Sequence, residues 1–257
     1  MNLSPYLNFT KQLAYRAGRI TLSYFNKGIG ADFKEDKTPV TAADRAAEKF
    51  IRAEIEKTYP THAIVGEEFG EKAGKGNPFR WIIDPIDGTK SFLRGVPLYS
   101  VLIALEIEGV VRASAVYFPA LDEILYAADG LGAWWNGRRA RVSTVNELKK
   151  AVFVYTSWSG FRTRKRLDLF ESLHKECFFC RGWSDAYAYL LVATGRAEIC
   201  LDPAVKIWDM APFPVIFREA GGFFGSWNGK EGHTFGEGLA VNAALKSRVL
   251  KLTREKK

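Results

Sequence analysis

The sequence is poor in the residues that build disulfide frameworks or zinc sites. Its 257 residues include only three cysteines and three histidines. An odd cysteine count argues against a secreted disulfide framework. Cys177 and Cys180 have the C-x-x-C spacing of a redox pair or half a zinc site, but they lie in an apolar segment that predicts a buried strand. No second C-x-x-C motif accompanies them, so we expect free, buried cysteines.

Long apolar runs and targeting signals are also missing. No segment approaches the roughly 20 apolar residues that span a bilayer. Residues 1–6 lack the basic and then apolar pattern of a signal peptide. We therefore expect a cytoplasmic protein with no membrane partner. The composition is ordinary for a globular protein, with 47% hydrophobic and 26% charged residues, and the length suffices for one large domain or two tightly joined halves.

The net charge of +8 leaves several functions open. It is compatible with nucleic-acid binding, with attraction of anionic small molecules, or with no specific role. The basic residues are dispersed and carry no pattern of aromatic platforms for bases. We expect no specific nucleic-acid partner and a modest steering of a phosphorylated substrate.

The first part of the chain predicts two helices followed by antiparallel strands. Apolar periodicity predicts a helix over residues 4–27, and a second helix over 41–57 with Thr41 as N-cap and Asp44 in its first turn. A short strand is predicted at 62–65 and a loop at 71–78. Strands at 99–106, 110–117 and 123–127 form a predicted meander, and Asn136-Gly137 predicts a hairpin turn.

From about residue 147 the pattern changes to alternating strands and helices. Strands are predicted at 152–156, 176–180, 197–201 and 239–241, and helices at 164–174, 185–193, 209–220 and 243–251. A meander followed by alternation predicts a layered α/β fold. We expect an N-terminal half, 1–146, and a C-terminal half, 147–257, packed as one unit.

The segment 81–90, Trp-Ile-Ile-Asp-Pro-Ile-Asp-Gly-Thr-Lys, ends a strand in two acids, Asp84 and Asp87. Two carboxylates at close range repel each other, and a hard divalent cation such as Mg²⁺ would remove that cost. Gly88 and Thr89 offer backbone N–H groups, and Thr89 a hydroxyl, to a neighbouring anion. The alternative is an ordinary turn, because Asp, Pro and Gly are common turn residues.

Acidic residues also occur at the boundaries of two further predicted elements. Glu67 and Glu68 follow the strand at 62–65, and Asp209 lies at a predicted helix start, where an N-cap is the alternative interpretation. Ligand sets made only of oxygen favour Mg²⁺, Mn²⁺ or Ca²⁺ over zinc. Several carboxylates beside a Gly-Thr anion pocket suit metal-assisted phosphoryl transfer to water.

These acids lie in motifs that occur in one order along nearly the whole chain. The sequence resembles the inositol monophosphatase superfamily of Mg²⁺-dependent phosphomonoesterases, whose fold is a five-layer αβαβα sandwich. The matching stretches are Lys34–Asp44, Gly66–Glu68, Asp84–Thr89, Trp208-Asp209, Glu219–Gly222 and Ala240–Ala243.

The resemblance implies two to three Mg²⁺ ions per site, with Mn²⁺ as a substitute. One ion would be held by Glu67, Asp84 and the carbonyl of Ile86, and a second by Asp84, Asp87 and Asp209. A third, weaker ion would lie near Glu67.

The resemblance also implies catalytic and phosphate-binding roles. Asp44 and Thr89 would orient and activate the attacking water, with Glu67 as a further catalytic residue. Gly88 and Thr89 would bind the phosphate through backbone N–H groups at a helix N-terminus. No covalent nucleophile is required.

Within the superfamily, several stretches are most similar to the histidinol-phosphate phosphatase branch, which serves histidine biosynthesis. They are 66–70, 87–95, 189–198 and 202–204. The expected partner is a small phosphorylated metabolite. An amino-alcohol ester carries a cation, which Asp185 and Asp202 would attract beside Ser184; Asp185 could instead cap a helix. Ser184 replaces a glycine usual in that branch, and Ser226 an aspartate.

Other functions stay open at this point. The same motifs fit an inositol-1-phosphate or broad sugar phosphate phosphatase, and the Asp-Gly-Thr-Lys stretch also resembles bisphosphate nucleotidases. A non-catalytic RNA-binding relative would account for the positive charge. A homodimer is usual for the superfamily, and we expect one here.

Overall fold

A computed structural model describes residues 1–28, 30–33, 39–183 and 185–254. The stretch 34–38, which belongs to one matching motif, and Ser184 lie outside the described residues. Among the residues described, no helix combines the length and apolar character that a membrane span requires.

The N-terminal part of the chain forms an eight-stranded sheet with two long helices. Its elements are α1 (Ser4–Tyr24), β1 (Ala31–Phe33), β2 (Pro39–Thr41), α2 (Ala42–Thr58), β3 (Ala63–Gly66), β4 (Gly70–Lys72), β5 (Phe79–Asp87), α3 (Thr89–Leu93), β6 (Ser100–Ile107), β7 (Val110–Phe118), β8 (Glu123–Ala128), β9 (Gly132–Trp135) and β10 (Arg138–Arg139). The strand order is β10-β9-β8-β7-β6-β5-β3-β4, and β1 pairs with β2 separately. The predicted meander is confirmed, because β5 to β10 pair antiparallel in sequence order, whereas β3 and β5 are parallel.

The C-terminal part forms a five-stranded sheet flanked by helices. After a 3₁₀ turn (Leu148–Lys150), its elements are β11 (Val152–Tyr155), α4 (Trp158–Thr163), α5 (Leu167–Glu176), β12 (Phe179–Arg181), α6 (Ala186–Ala193), β13 (Ile199–Asp202), α7 (Ile207–Met210), α8 (Phe213–Ala220), β14 (Gly222–Gly225), β15 (Gly238–Asn242) and α9 (Lys246–Arg254). The order is β12-β11-β13-β15-β14. Strands β12, β11 and β13 are parallel, and β15 runs antiparallel to both of its neighbours.

Alternation along the strands separates the layers, because successive side chains point to opposite faces. Trp81 and Ile83 of β5 pack with α1 and α2, whereas Ile82 packs on the other face with α6, α8 and the second sheet. Phe153 and Leu201 line the far face of that second sheet with α4, α5 and α9. The result is the expected five-layer αβαβα sandwich. The division at residues 146 and 147 stays a prediction.

Several predicted boundaries were wrong, each for a local reason. The loop predicted at 71–78 begins inside β4, which pairs with β3. The helix predicted at 164–174 is observed as α5, two to three residues further along the chain, and the preceding α4, which Ser157 caps by accepting the N–H of Gly160 over 3.3 Å, was not predicted. The helix predicted at 209–220 is two helices, α7 and α8, and the chain turns at Pro212, which has no N–H to donate. The strand β14 was not predicted.

The predicted strand at 176–180 was wrong for its first half. Cys177 ends α5, and its N–H donates to the carbonyl of Leu173 over 2.9 Å. Only Phe179–Arg181 forms a strand. All three cysteines are nevertheless buried and free, as expected.

Candidate metal centre

An irregularity at the end of β5 brings Asp84 and Asp87 together. Along β5 the pairing with β6 advances three residues, from Asp84 to Asp87, while β6 advances two, from Leu102 to Ser100. In a regular strand, residues three apart face opposite sides of the sheet. The extra residue cancels that reversal, as β-bulges do beside active sites. Asp84 and Asp87 can therefore place their carboxylates in the same cluster.

The neighbouring strand supplies Glu67. Because β3 runs parallel to β5, with Gly66 level with Ile83, Glu67 follows β3 at the edge where β5 ends in Asp84. The C-terminal half supplies Asp209, the third residue of the short helix α7. Asp84, Asp87 and Asp209 each present a carboxylate oxygen, and these three oxygens lie within 4.8 Å of one another.

In each of these aspartates a hydrogen bond fixes one oxygen. Oδ1 of Asp84 accepts the N–H of Ile86 over 3.0 Å, and Oδ2 of Asp209 accepts the N–H of Lys206 over 2.7 Å. Oδ2 of Asp87 accepts both the hydroxyl of Ser100 (3.2 Å) and the N–H of Ala186 (2.9 Å). These hydrogen bonds hold the three carboxylates in place at the cluster. Asp209 is not the N-cap of α7. That position is occupied by Lys206, whose N–H Asp209 accepts.

Asp44 is fixed in the same way by the start of α2. Thr41 is the N-cap, as predicted; its N–H and hydroxyl donate to Oδ2 of Asp44 over 2.8 and 2.5 Å. The carboxyl is fully buried, and its Oδ1 has no hydrogen-bond partner among the described residues. A buried acceptor without a partner costs free energy, so the folded chain holds Asp44 ready for a group that is not part of the protein.

Gly88 and Thr89 complete the corner after β5. Gly88 has φ +83°, a conformation that strains any residue with a side chain, and Thr89 begins α3. The hydroxyl of Thr89 donates to the Ile86 carbonyl over 3.2 Å. A cavity of about 240 Å³ opens here, lined by Pro39, Glu67, Asp84, Ile86, Asp87, Gly88, Thr89, Lys90, Asp185 and Asp209.

The electrostatics of the cluster favour a bound cation. Burial, and then the charges of Glu67 and Asp87, raise the pKa of Asp84 well above its usual value. Burial and then Asp185 do the same to Asp87. Burial also raises the pKa of Asp209 to about 7 and that of Asp44 to about 6. A hard cation relieves the repulsion, and the oxygen-only donors fit such an ion.

The predicted substrate residues lie at different depths. Asp185 lines the cavity, with its Oδ2 3.0 Å from the position that a Cβ on Gly88 would take. It precedes α6 with φ +54° and ψ −149°, and no side-chain hydrogen bond caps that helix. Asp202 is buried and is not among the described residues that line the cavity; its oxygens accept the Thr156 hydroxyl (2.5 Å) and the Ala204 N–H (3.3 Å). Burial raises the pKa of Asp202 to about 7.

Some residues that shape the site were given no role from the sequence. Pro39 and Lys90 lie within the matching stretches and line the cavity, and Ser100, which lies outside them, anchors Asp87. Strand pairing could have found Ser100, since it lies opposite Asp87 on β6. The N–H of Ala186 carries no signal in the sequence.

Comparison with known proteins agrees with this geometry. The model of the inositol monophosphatase family matches residues 2–257. The chain belongs to this family. A histidinol-phosphatase of Chlorobaculum parvum is 42% identical over 245 residues, covering 95% of this chain and 94% of that protein. The Nus factor SuhB of Escherichia coli is 33% identical, covering 91% of this chain and 88% of that protein.

A solved structure shows the same fold. The extragenic suppressor protein suhB of Bartonella henselae superposes with a TM-score of 0.92 at 30% identity, covering 99% of this chain and 100% of that one. Membership of the family, together with the histidinol-phosphatase relatives, makes the chain a phosphomonoesterase that acts on small phosphorylated metabolites.

Proposed function

We propose that this chain is a Mg²⁺-dependent phosphatase that hydrolyses histidinol phosphate. The observation that carries the proposal is the convergence of Glu67, Asp84, Asp87 and Asp209 on one cavity that also contains Thr89. The choice of ester rests on the 42% identity to the Chlorobaculum parvum histidinol-phosphatase and on the acidic wall at Asp185.

The metal ligands in this proposal are Glu67, Asp84, Asp87, Asp209 and the carbonyl of Ile86. All five residues line the cavity. When bound, the divalent ions supply positive charge that lowers the pKa of water and offsets the negative charge of the phosphoryl group. Mn²⁺ has the same preference for oxygen ligands and is the expected substitute.

The protein's own groups position the attacking water and the ester. Thr41 holds Asp44 so that Oδ1 remains available to accept a proton, and the raised pKa, about 6 in the metal-free site, suits a general base near neutral pH. In this proposal the hydroxyl of Thr89 orients the same water. The N–H groups of Gly88 and Thr89 bind the phosphate oxygens.

The amino-alcohol part of the substrate would lie toward Asp185. An ammonium group beside a carboxylate that lines the cavity gains a charge-assisted hydrogen bond. Asp202 lies behind the wall and would contribute its charge rather than a contact. Ser184, which precedes Asp185, lies outside the described residues, and its role stays a prediction, as do the homodimer and the cytoplasmic location.

A panel of phosphate esters tests both parts of the proposal. Phosphate release is measured with and without Mg²⁺ for histidinol phosphate, inositol 1-phosphate, a sugar phosphate and a bisphosphate nucleotide. We expect kcat/KM for histidinol phosphate to exceed the others by at least about tenfold, the value of one charge-assisted contact. A preference for another ester would refute the substrate, and no release from any ester would refute the metal-dependent chemistry.

The net charge of +8 supports a second candidate, a relative that binds RNA. Contacts to phosphates release counterions, so such binding weakens steeply as salt rises. Salt-dependent RNA binding without phosphate release from any ester would favour this function over catalysis.

A further inference from the structure

Glu48 is a buried acid outside the motifs of the metal centre. It lies on α2, one helical turn after Asp44, and is fully buried. Its Oε2 accepts the N–H of Glu68 over 2.8 Å, and its Oε1 accepts the N–H of Phe69 over 3.1 Å. Both donors belong to the turn of residues 67–69, which begins with Glu67.

Arg52 completes the arrangement on the next turn of α2. Its Nε donates to Oε1 of Glu48 over 2.8 Å, which pairs the buried charge as burial requires. Another guanidinium nitrogen donates to the Gly70 carbonyl, and the group lies 6.0 Å from the centre of the Phe69 ring. Helix α2 therefore binds the backbone of this segment both at N–H groups, through Glu48, and at a carbonyl, through Arg52.

The fit between α2 and the turn is close. A Cβ on Gly66 would lie 2.1 Å from Oε1 of Glu48, inside the van der Waals radii, so Gly66 leaves the space that the carboxylate fills. Glu67 follows at once. Its neighbours on both sides are thus constrained by Glu48, one by contact and one by a hydrogen bond.

We propose that Glu48 is a positioning residue that sets the orientation of Glu67 toward the metal. The inference rests on the proposed function, in which Glu67 is a metal ligand. Groups that orient metal ligands affect metal affinity by about 10–100-fold. Since Asp44 starts the same helix, α2 also fixes Glu67 relative to the group that receives the proton.

The test measures the affinity of the full-length protein for Mn²⁺. Binding is monitored through the electron paramagnetic resonance signal of the free ion. Glu48→Gln keeps the shape of the side chain but replaces one of its two acceptor oxygens with an NH₂ group. That group cannot accept the backbone N–H which the oxygen accepts in the wild type. We expect its Mn²⁺ affinity to fall about 10–100-fold, with kcat recovering at saturating metal. The matched control is Glu54→Gln on the same helix, which breaks a surface pair with Arg16 and should bind Mn²⁺ normally.

A double-mutant cycle separates this role from a merely structural one. If Glu48 acts through Glu67, Glu48→Gln has no further effect on Mn²⁺ affinity once Glu67→Gln is present. Additive losses, or unchanged Mn²⁺ affinity in a folded Glu48→Gln protein, would overturn the proposal. If Glu48→Gln does not fold, Glu48→Asp decides, because it keeps the charge and withdraws both oxygens. Normal Mn²⁺ affinity there, or loss of folding in both variants, would count against positioning.

The outcome for the proposed function is read separately. A wild-type protein that binds no Mn²⁺ and releases no phosphate removes the metal chemistry itself. A wild type that does both, alongside a Glu48→Gln variant with normal affinity, leaves the phosphatase intact and removes only the role of Glu48.

Discussion

The backbone N–H of Ala186 donates to Oδ2 of Asp87 over 2.9 Å, although 99 positions separate the two residues. Ala186 is the first residue of α6, and Asp87 the last of β5. The bond ties the metal centre to the segment that carries Asp185. A shift of the backbone at Asp185 would therefore also move the N–H group that orients Asp87.

Asp87→Asn should abolish most activity and leave the fold intact. The amide can still accept the Ala186 N–H, but it brings no charge to the cluster. We expect kcat to fall by about 100-fold or more, since a metal supplies several kcal/mol of transition-state stabilisation. Phosphate release and circular dichroism measure the two effects. Asp168→Asn on the surface of α5 is the control, and near-normal turnover in Asp87→Asn would contradict the ligand assignment.

Metal and pH should act on stability together. Burial raises the pKa of Asp44 to about 6 and those of Asp202 and Asp209 to about 7. At these three positions the folded, metal-free protein retains protons that the unfolded chain releases near pH 4, so their contribution to stability falls as the pH rises from about 4 to about 7.

A bound Mg²⁺ ion relieves the repulsion between the buried carboxylates, and at lower pH protonation relieves the same repulsion. We expect Mg²⁺ to raise Tm more at about pH 8 than at about pH 5, in proportion to the number of protons already lost. Thermal unfolding with Mg²⁺ or with a chelator measures the difference. Equal shifts at both pH values would show that the cluster of Asp84, Asp87 and Asp209 does not bind the ion.

Asp185→Asn should separate the two candidate esters. Asparagine has the same shape as aspartate and adds no strain to the already strained backbone of this position (φ +54°, ψ −149°), so the substitution removes only the charge. We expect KM for histidinol phosphate to rise about tenfold or more and KM for inositol 1-phosphate to stay unchanged. An equal rise in KM for both esters would show that Asp185 shapes the cavity wall but does not recognise the ammonium group.

Glu106 joins the two halves of the chain away from the metal centre. It accepts from Arg80 of β5 (2.7 Å) and lies 3.2 Å from Nε2 of His233, in the segment between β14 and β15. Burial acts to raise the pKa of Glu106, but the neighbouring His233 and Arg80 side chains outweigh it and hold the pKa below its usual value.

Glu106→Gln should therefore lower the free energy of unfolding by about 2 kcal/mol at neutral pH, a value reduced for the partial exposure of Arg80. Because a depressed acid pKa stabilises fully above the unfolded value and the effect is lost as the pH falls through the folded value, the difference from wild type should shrink below about pH 4 and vanish once Glu106 is protonated in both states. Urea titrations at both pH values test this. Glu176→Gln, which breaks a surface pair with Arg248, should change little.

The sequence predicted the acidic residues of the candidate metal centre better than the residues that hold them in place. Asp84 and Asp87 end a strand, and Glu67 ends its parallel neighbour, so local patterns sufficed to place them. The N–H of Ala186 and the carboxylate of Glu48 act across the fold, and neither belongs to a motif. The single helix predicted at 209–220 failed because proline is tolerated in a first turn, which hid the break at Pro212.

The meander of the first sheet has a consequence for the order of folding. Strands β5 to β10 pair with their neighbours in sequence, so these contacts close short loops and form early. This sheet can assemble while the ribosome is still synthesising the rest of the chain. Asp209 and the N–H of Ala186 come later in synthesis. We expect a nascent chain to hold Glu67, Asp84 and Asp87 in its first sheet well before Asp209 can complete the acidic cluster.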